Sequence, residues 1–106
     1  MNRQLQIDHF VTQAHQLAVQ RLREHPERTG EAKAQLSRWR ALSGPTRSDA
    51  YWDEWDGLLA GPVDVLALAV CADTDHAAVL RSVSPMSVLI TQAERAQLIA
   101  QSRRLA

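Results

Sequence analysis

Apolar residues spaced three and four positions apart are the feature that most constrains how this chain folds. The pattern is clearest near the start of the sequence, where one helix face would carry Ile7, Phe10, Val11, Ala14, Leu17, Ala18 and Leu22. Pro26 disfavours helical geometry at His25, so we expect this helix to end there. The spacing therefore predicts a long amphipathic first helix rather than a strand.

Short breaks divide the next part of the chain into further helical segments. A second helix is predicted from Thr29, as its N-cap, to Gly44-Pro45, and a third from Ser48 or Asp49 to Gly61-Pro62. Glycine suits the position after a helix, and proline suits the first turn of the next one. The apolar face of the second helix would be Ala32, Leu36, Trp39 and Leu42.

The second half of the chain contains the one ambiguous segment, residues 62–72. Its apolar residues are not confined to one helix face, so periodicity does not separate a buried helix from a buried strand. We predict a buried central helix, because Ala and Leu are good helix formers and no second strand candidate is visible. Asp73 or Thr74 would cap a short helix after it, and Thr91 with Glu94 forms a capping box for the last helix. The fold class predicted is all-α, a single small bundle of five or six helices.

Composition is compatible with one ordinary domain spanning residues 1–106, with no room for a separate cofactor-binding domain and with no cofactor predicted. Cys71, the single cysteine, cannot form an internal disulfide, and its apolar surroundings predict a buried thiol. We therefore expect a reducing, cytoplasmic compartment. The first residues lack the apolar core of a secretory signal, and no run approaches the ~20 apolar residues that span a bilayer, so no membrane partner is predicted.

The charges sum to zero but are segregated along the chain. Residues 20–47 carry seven basic and three acidic groups, residues 48–75 carry seven acidic groups and no basic one, and residues 76–106 are again net basic. Complementary blocks of this kind favour binding to a protein partner or self-association into a homodimer.

Three aromatic and three acidic residues are consecutive within the acidic block. We predict that they form a partner-binding patch that would dock a basic protein surface, made of Tyr51, Trp52, Asp53, Glu54, Trp55 and Asp56. The alternative is that Trp52 and Trp55, which share a helix face, anchor the core. Whether the segment is exposed stays open at this point.

A basic helix offers an alternative function, nucleic-acid binding through Lys33, Arg38 and Arg40. The competing interpretation is a solvated basic face that pairs with the acidic block inside the fold. With zero net charge there is no overall basic field, so nucleic acid is the less favoured partner.

The sequence contains no motif that assigns catalytic or metal-binding residues, and we predict none. Asp73, Asp75 and His76 resemble metal ligands, but a site needs further ligands and there is no second cluster, so a capped helix start is favoured. His9 and His15 lie six positions apart, which directs them to different helix faces, and both are expected in solvent. An enzyme would require a deep pocket in which histidine and carboxylate groups converge.

The stretch 80–95 is similar to the C-terminal pattern of a set of small uncharacterised bacterial helical proteins. In those proteins Leu-Arg leads to Ser-Pro-Phe, then a Leu, then Glu-Arg; the matching residues here are Leu80-Arg81, Ser84-Pro85, Leu89 and Glu94-Arg95, with Met86 in place of Phe. A Trp-rich stretch often precedes the pattern, as residues 51–59 do here. The resemblance implies a bacterial origin but no established activity.

The residues of this stretch also support structural expectations of their own. Met86, Val88 and Leu89 are expected to plug the core, while Arg81 and Arg95 could pair with the acidic block. Taken together, we predict a non-enzymatic helical protein-interaction module, of the antitoxin-like or accessory regulator kind.

Overall fold

The computed structural model describes residues 3–104, which form six α-helices and two short 3₁₀ turns without any strand. The helices are α1 Arg3–Glu24, α2 Thr29–Ser43, α3 Asp49–Ala60, α4 Val63–Cys71, α5 Asp75–Ser82 and α6 Gln92–Arg103, and the turns are Pro26–Arg28 and Met86–Leu89. The predicted small all-α bundle is confirmed. No helix in this range is long and apolar enough to cross a membrane.

The long helix α1 forms the centre of the packing, with α4, α6 and the Met86–Leu89 turn against it. The predicted apolar face of α1 contributes Ala18 and Leu22 to the core, together with Val19. The core is completed from the other elements by Ala32, Leu36, Trp52, Trp55, Leu59, Leu66, Val70, Leu80, Met86 and Leu89. Full burial of each large side chain stabilises the fold by about 1.5–3 kcal/mol before entropy is counted.

The ambiguous segment 62–72 is a helix, as predicted, but it is not buried on all sides. Leu66 and Val70 are in the core, one turn apart on the inner side of α4. Val65 and Leu68, which lie on the other side, are exposed. The expectation of a buried central helix was therefore right for the inner side of α4 and wrong for its outer side, where Val65 and Leu68 are exposed.

Local capping signals are mostly confirmed. Thr74 accepts a hydrogen bond from the Ala77 N–H at 3.1 Å, and both hydrogen bonds of the Thr91–Glu94 capping box are present. Thr29 is not the N-cap of α2: it is the first residue of that helix, and its hydroxyl donates to the Pro26 carbonyl. The preceding 3₁₀ turn already continues into α2, so no extended N-cap residue is needed.

The turn between α5 and α6 closes one end of the core. Met86 and Leu89 are buried and Val88 is half-buried, as expected. Arg81 and Arg95 do not pair with the acidic block: the Arg81 Nη1 donates to backbone carbonyls at the end of α4, and the Arg95 guanidinium lies 5.1 Å from the centroid of the Phe10 ring.

Candidate interaction surfaces

The two tryptophans of the predicted partner-binding patch face the interior of the bundle. Trp52 is 8% exposed and Trp55 is completely buried. Their indole N–H groups donate to the carbonyls of Val83 at 3.2 Å and Leu80 at 2.9 Å, which ties α3 to the end of α5. The prediction that these two residues anchor a partner was wrong. They lie in the core, which was the alternative.

The acidic residues of the same segment are engaged within the fold. The Arg40 guanidinium of α2 contacts the carboxylates of Asp53 at 2.6 Å and Asp56 at 3.0 Å, and the pair with Asp53 raises the pKa of Arg40. Glu54 accepts a hydrogen bond from the His76 Nε2 at 2.8 Å. Solvent-exposed pairs of this kind contribute little stability, but they occupy the carboxylates that a basic partner would need.

Tyr51, the remaining aromatic residue of the patch, is half-buried. Its ring centroid lies 6.0 Å from that of His76, so the side chain is held beside the Glu54 pair. The six predicted residues therefore do not form one exposed surface.

The three basic residues predicted to contact nucleic acid are not brought together either. Arg40 forms ion pairs with Asp53 and Asp56, while Lys33 and Arg38 remain exposed on α2. Lys33 and Arg38 are five positions apart, about 140° around the helix, so they point in different directions. Nucleic-acid binding stays a prediction that no feature of this arrangement favours.

The residues that resembled metal ligands do not form a metal-binding group in the described part of the chain. His76 turns to Glu54, and Asp75 occupies the first turn of α5, where a carboxylate complements the helix dipole. Across residues 3–104, no group of three or more His, Cys, Asp and Glu side chains could hold a metal ion.

An exposed apolar surface, which the sequence analysis did not single out, lies on α4. Asp64 is the only polar residue of this helix, and a helix that is apolar all round is normally enclosed. Here Val65 is 52% exposed and Leu68 is 77% exposed, three positions apart on one side. We call these two residues the α4 outer face.

The ends of the α4 outer face are bounded by residues held within the fold. At one end Asp64, whose side chain stays 78% exposed, forms an ion pair with Arg23 of α1. At the other end Cys71 is half-buried rather than fully buried as expected, and burial raises the pKa of its thiol, so the protonated form dominates. The exposed surface between them is purely aliphatic.

A pocket of about 540 Å³ opens on a different part of the molecule, between α1, α5 and the Met86–Leu89 turn. Its walls combine apolar and cationic side chains, among them Ile7, Phe10, His15, Arg81, Met86 and Arg95. This volume falls within the range typical of small-molecule sites.

His15 lies in the pocket wall and is buried, which contradicts its predicted place in solvent. Only 7% of the residue is exposed, and its ring centroid is 6.3 Å from that of Trp55. Val11 and Ala18, four positions before and three after, share the apolar side of α1, and this spacing could have indicated the burial of His15.

The protonation of His15 follows from its contacts. Its Nδ1 lies 2.8 Å from the Val11 carbonyl, which can only accept, so Nδ1 carries the hydrogen. Burial lowers the pKa of His15, and the charge of Arg81 lowers it further. The ring is therefore neutral, and its Nε2, an acceptor, is buried without a partner in the described part of the chain.

A further contact that sequence analysis missed joins the last turns of α1 to the first turn of α6. Arg21 donates both terminal N–H groups to Glu94 at 2.7 Å and also contacts the Leu89 carbonyl at 2.9 Å. This pairing and the Thr91 cap lower the pKa of Glu94 to about 2. The partners are 73 positions apart, so no local pattern indicates the contact.

The chain matches no protein-family model, no curated protein and no solved structure.

Proposed function

We propose that this protein works by binding protein rather than by catalysis, and that the α4 outer face is its contact surface. The observation that carries the proposal is Leu68, an aliphatic side chain left three-quarters exposed in the middle of an almost wholly apolar helix. Single exposed leucines are common, but here Val65 extends the apolar surface along the same helix. Covering this face would remove further apolar area from water.

The occupant we propose is a second copy of this chain. The net charge is zero, so two copies approach without overall repulsion near neutral pH. The α4 outer face is also compatible with two-fold symmetry. Two α4 helices packed antiparallel about a two-fold axis would place each Leu68 against the Val65 of the other copy. One side of a nine-residue helix is smaller than a standard interface, so we expect a dissociation constant on the order of micromolar.

The proposed dimer replaces the docking of a basic partner on the acidic segment. That hypothesis needed exposed tryptophans and free carboxylates, whereas Trp52 and Trp55 are buried and Asp53 and Asp56 contact Arg40. A regulatory role of the antitoxin-like or accessory kind remains a prediction, and a concentration-dependent dimer would suit it.

The test is sedimentation velocity of the full chain from a few micromolar to several hundred micromolar. We expect a monomer–dimer equilibrium in the unaltered protein and a monomer throughout in Leu68→Lys. The matched control is Leu42→Lys, because Leu42 is 86% exposed on α2 and is not part of the α4 outer face.

Three outcomes would overturn the proposal, provided that circular dichroism shows folded proteins. They are a strictly monomeric unaltered chain, a Leu68→Lys variant that still dimerises, and a Leu42→Lys variant that dissociates as completely. An unchanged dimer in Leu42→Lys supports the assignment of the interface to α4.

A further inference from the structure

The pocket between α1, α5 and the Met86–Leu89 turn has chemistry that the proposed dimer does not use. Its apolar walls are formed by Ile7, Phe10 and Val11 from α1 and by Met86 and Ile90 from the turn region. These side chains provide an aliphatic and aromatic lining for the body of a small organic molecule.

Two arginines give the pocket its charge. Unlike Arg21, Arg23 and Arg40, neither Arg81 nor Arg95 forms an ion pair with a carboxylate in the described residues. Arg81 uses Nη1 for two backbone carbonyls, and no described residue accepts from its Nε or Nη2. The guanidinium of Arg95 lies over the Phe10 ring, and its side-chain N–H groups donate to no described residue.

The other polar groups leave this positive charge in excess. Among the described residues that line the pocket, Asp8 is the only one with a carboxylate, and Gln4 donates to it at 2.9 Å. His15 adds no charge, since its ring is neutral when buried. The described lining of the pocket therefore contains two guanidinium groups and one carboxylate.

We propose that this pocket binds a small organic carboxylate with a compact apolar body. The carboxylate would meet the guanidiniums of Arg81 and Arg95, whose planar N–H groups match two carboxylate oxygens. The body would lie on Phe10, Met86 and Ile90. The pocket does not include residues of the α4 outer face, so carboxylate binding can be tested separately from the proposed dimer.

The test compares 2-naphthoate with its neutral analogue 2-naphthamide by isothermal titration calorimetry and ¹H–¹⁵N NMR on the full chain. We expect saturable binding of 2-naphthoate, with shifts at residues of α1, α5 and the 86–90 turn. A hydrogen bond to a charged group is worth about 1.5–3 kcal/mol, so 2-naphthamide should bind about ten-fold more weakly or worse.

Charge variants then locate the anion within the pocket. Arg95→Gln should weaken 2-naphthoate about ten-fold, whereas Arg47→Gln, which removes the same charge from the loop before α3, should leave it unchanged. Leu68→Lys should also leave it unchanged, since that residue is not in the pocket wall.

Several results would overturn the proposal. These are no saturable binding of 2-naphthoate, equal affinity for acid and amide, or shifts that map away from the pocket. Equal weakening by Arg47→Gln would overturn it as well. If Arg95→Gln does not fold, the comparison of acid and amide on the unaltered protein still decides the question.

Discussion

Helices α3 and α4 are neighbours in the chain, and each contradicts what its composition suggests. The aromatic and acidic α3 resembles a docking surface, yet it buries Trp52 and Trp55 and its acids contact Arg40 and His76. The aliphatic α4 resembles a core element, yet it leaves Leu68 in solvent. Residue type alone therefore does not decide exposure: what decides it is which face of a helix the rest of the bundle covers.

The largest expected effect tests the buried side of α3. Trp55→Ala should destabilise the fold by about 3–5 kcal/mol, because it removes the largest fully buried side chain and its hydrogen bond to Leu80. Urea unfolding followed by circular dichroism measures this change. A loss below about 1 kcal/mol would contradict the burial of Trp55 in the core.

A matched pair of leucines tests the two sides of α4. Leu66→Ala, on the buried side, should cost about 2–5 kcal/mol, whereas Leu68→Ala should change the stability of the monomer by no more than about 0.5 kcal/mol. Chemical unfolding at low micromolar concentration keeps any dimer from contributing. Similar losses for the two variants would show that α4 is covered on both sides.

The smallest effect concerns His15, whose ring lies beside Trp55 under α3. Burial lowers the pKa of His15 in the folded state. As the pH falls, the unfolded chain therefore becomes protonated at a higher pH than the folded chain. Neutral His15 therefore contributes fully to the free energy of unfolding above its ordinary pKa of about 6.5. This contribution is lost as the pH falls from that value toward the lowered pKa of the folded state. Because a single proton is involved, the free energy of unfolding falls by no more than about 1.4 kcal/mol per pH unit.

Unfolding at pH 7.5 and pH 5.5, with tryptophan fluorescence as the probe, measures this dependence. His15→Leu should reduce the difference between the two pH values, while His9→Gln should retain it. A pH dependence that is unchanged in His15→Leu would contradict the assignment to this buried ring.

Several helix ends were predictable because their signals are local. The Thr74 cap and the Thr91–Glu94 capping box need only residues within three positions, and both are present. The helix over 62–72 followed from the helix propensity of Ala and Leu. The cap assigned to Thr29 failed because the 3₁₀ turn before it changes the local geometry.

The surfaces were less predictable, because burial depends on contacts between distant residues. The predicted apolar face of α2 includes both Leu42, which is exposed, and Leu36, which is in the core. No spacing within α3 reveals that Trp52 and Trp55 donate to carbonyls at the end of α5.

The sequence by itself determined an all-helical chain and the positions of most of its breaks, since backbone hydrogen bonds and caps form between residues a few positions apart. Only the tertiary structure decided which faces are covered. Packing α1 against α4, α6 and the Met86–Leu89 turn buried His15, paired Arg21 with Glu94 and left Leu68 outside. Those contacts join residues far apart in the chain, where local periodicity carries no information.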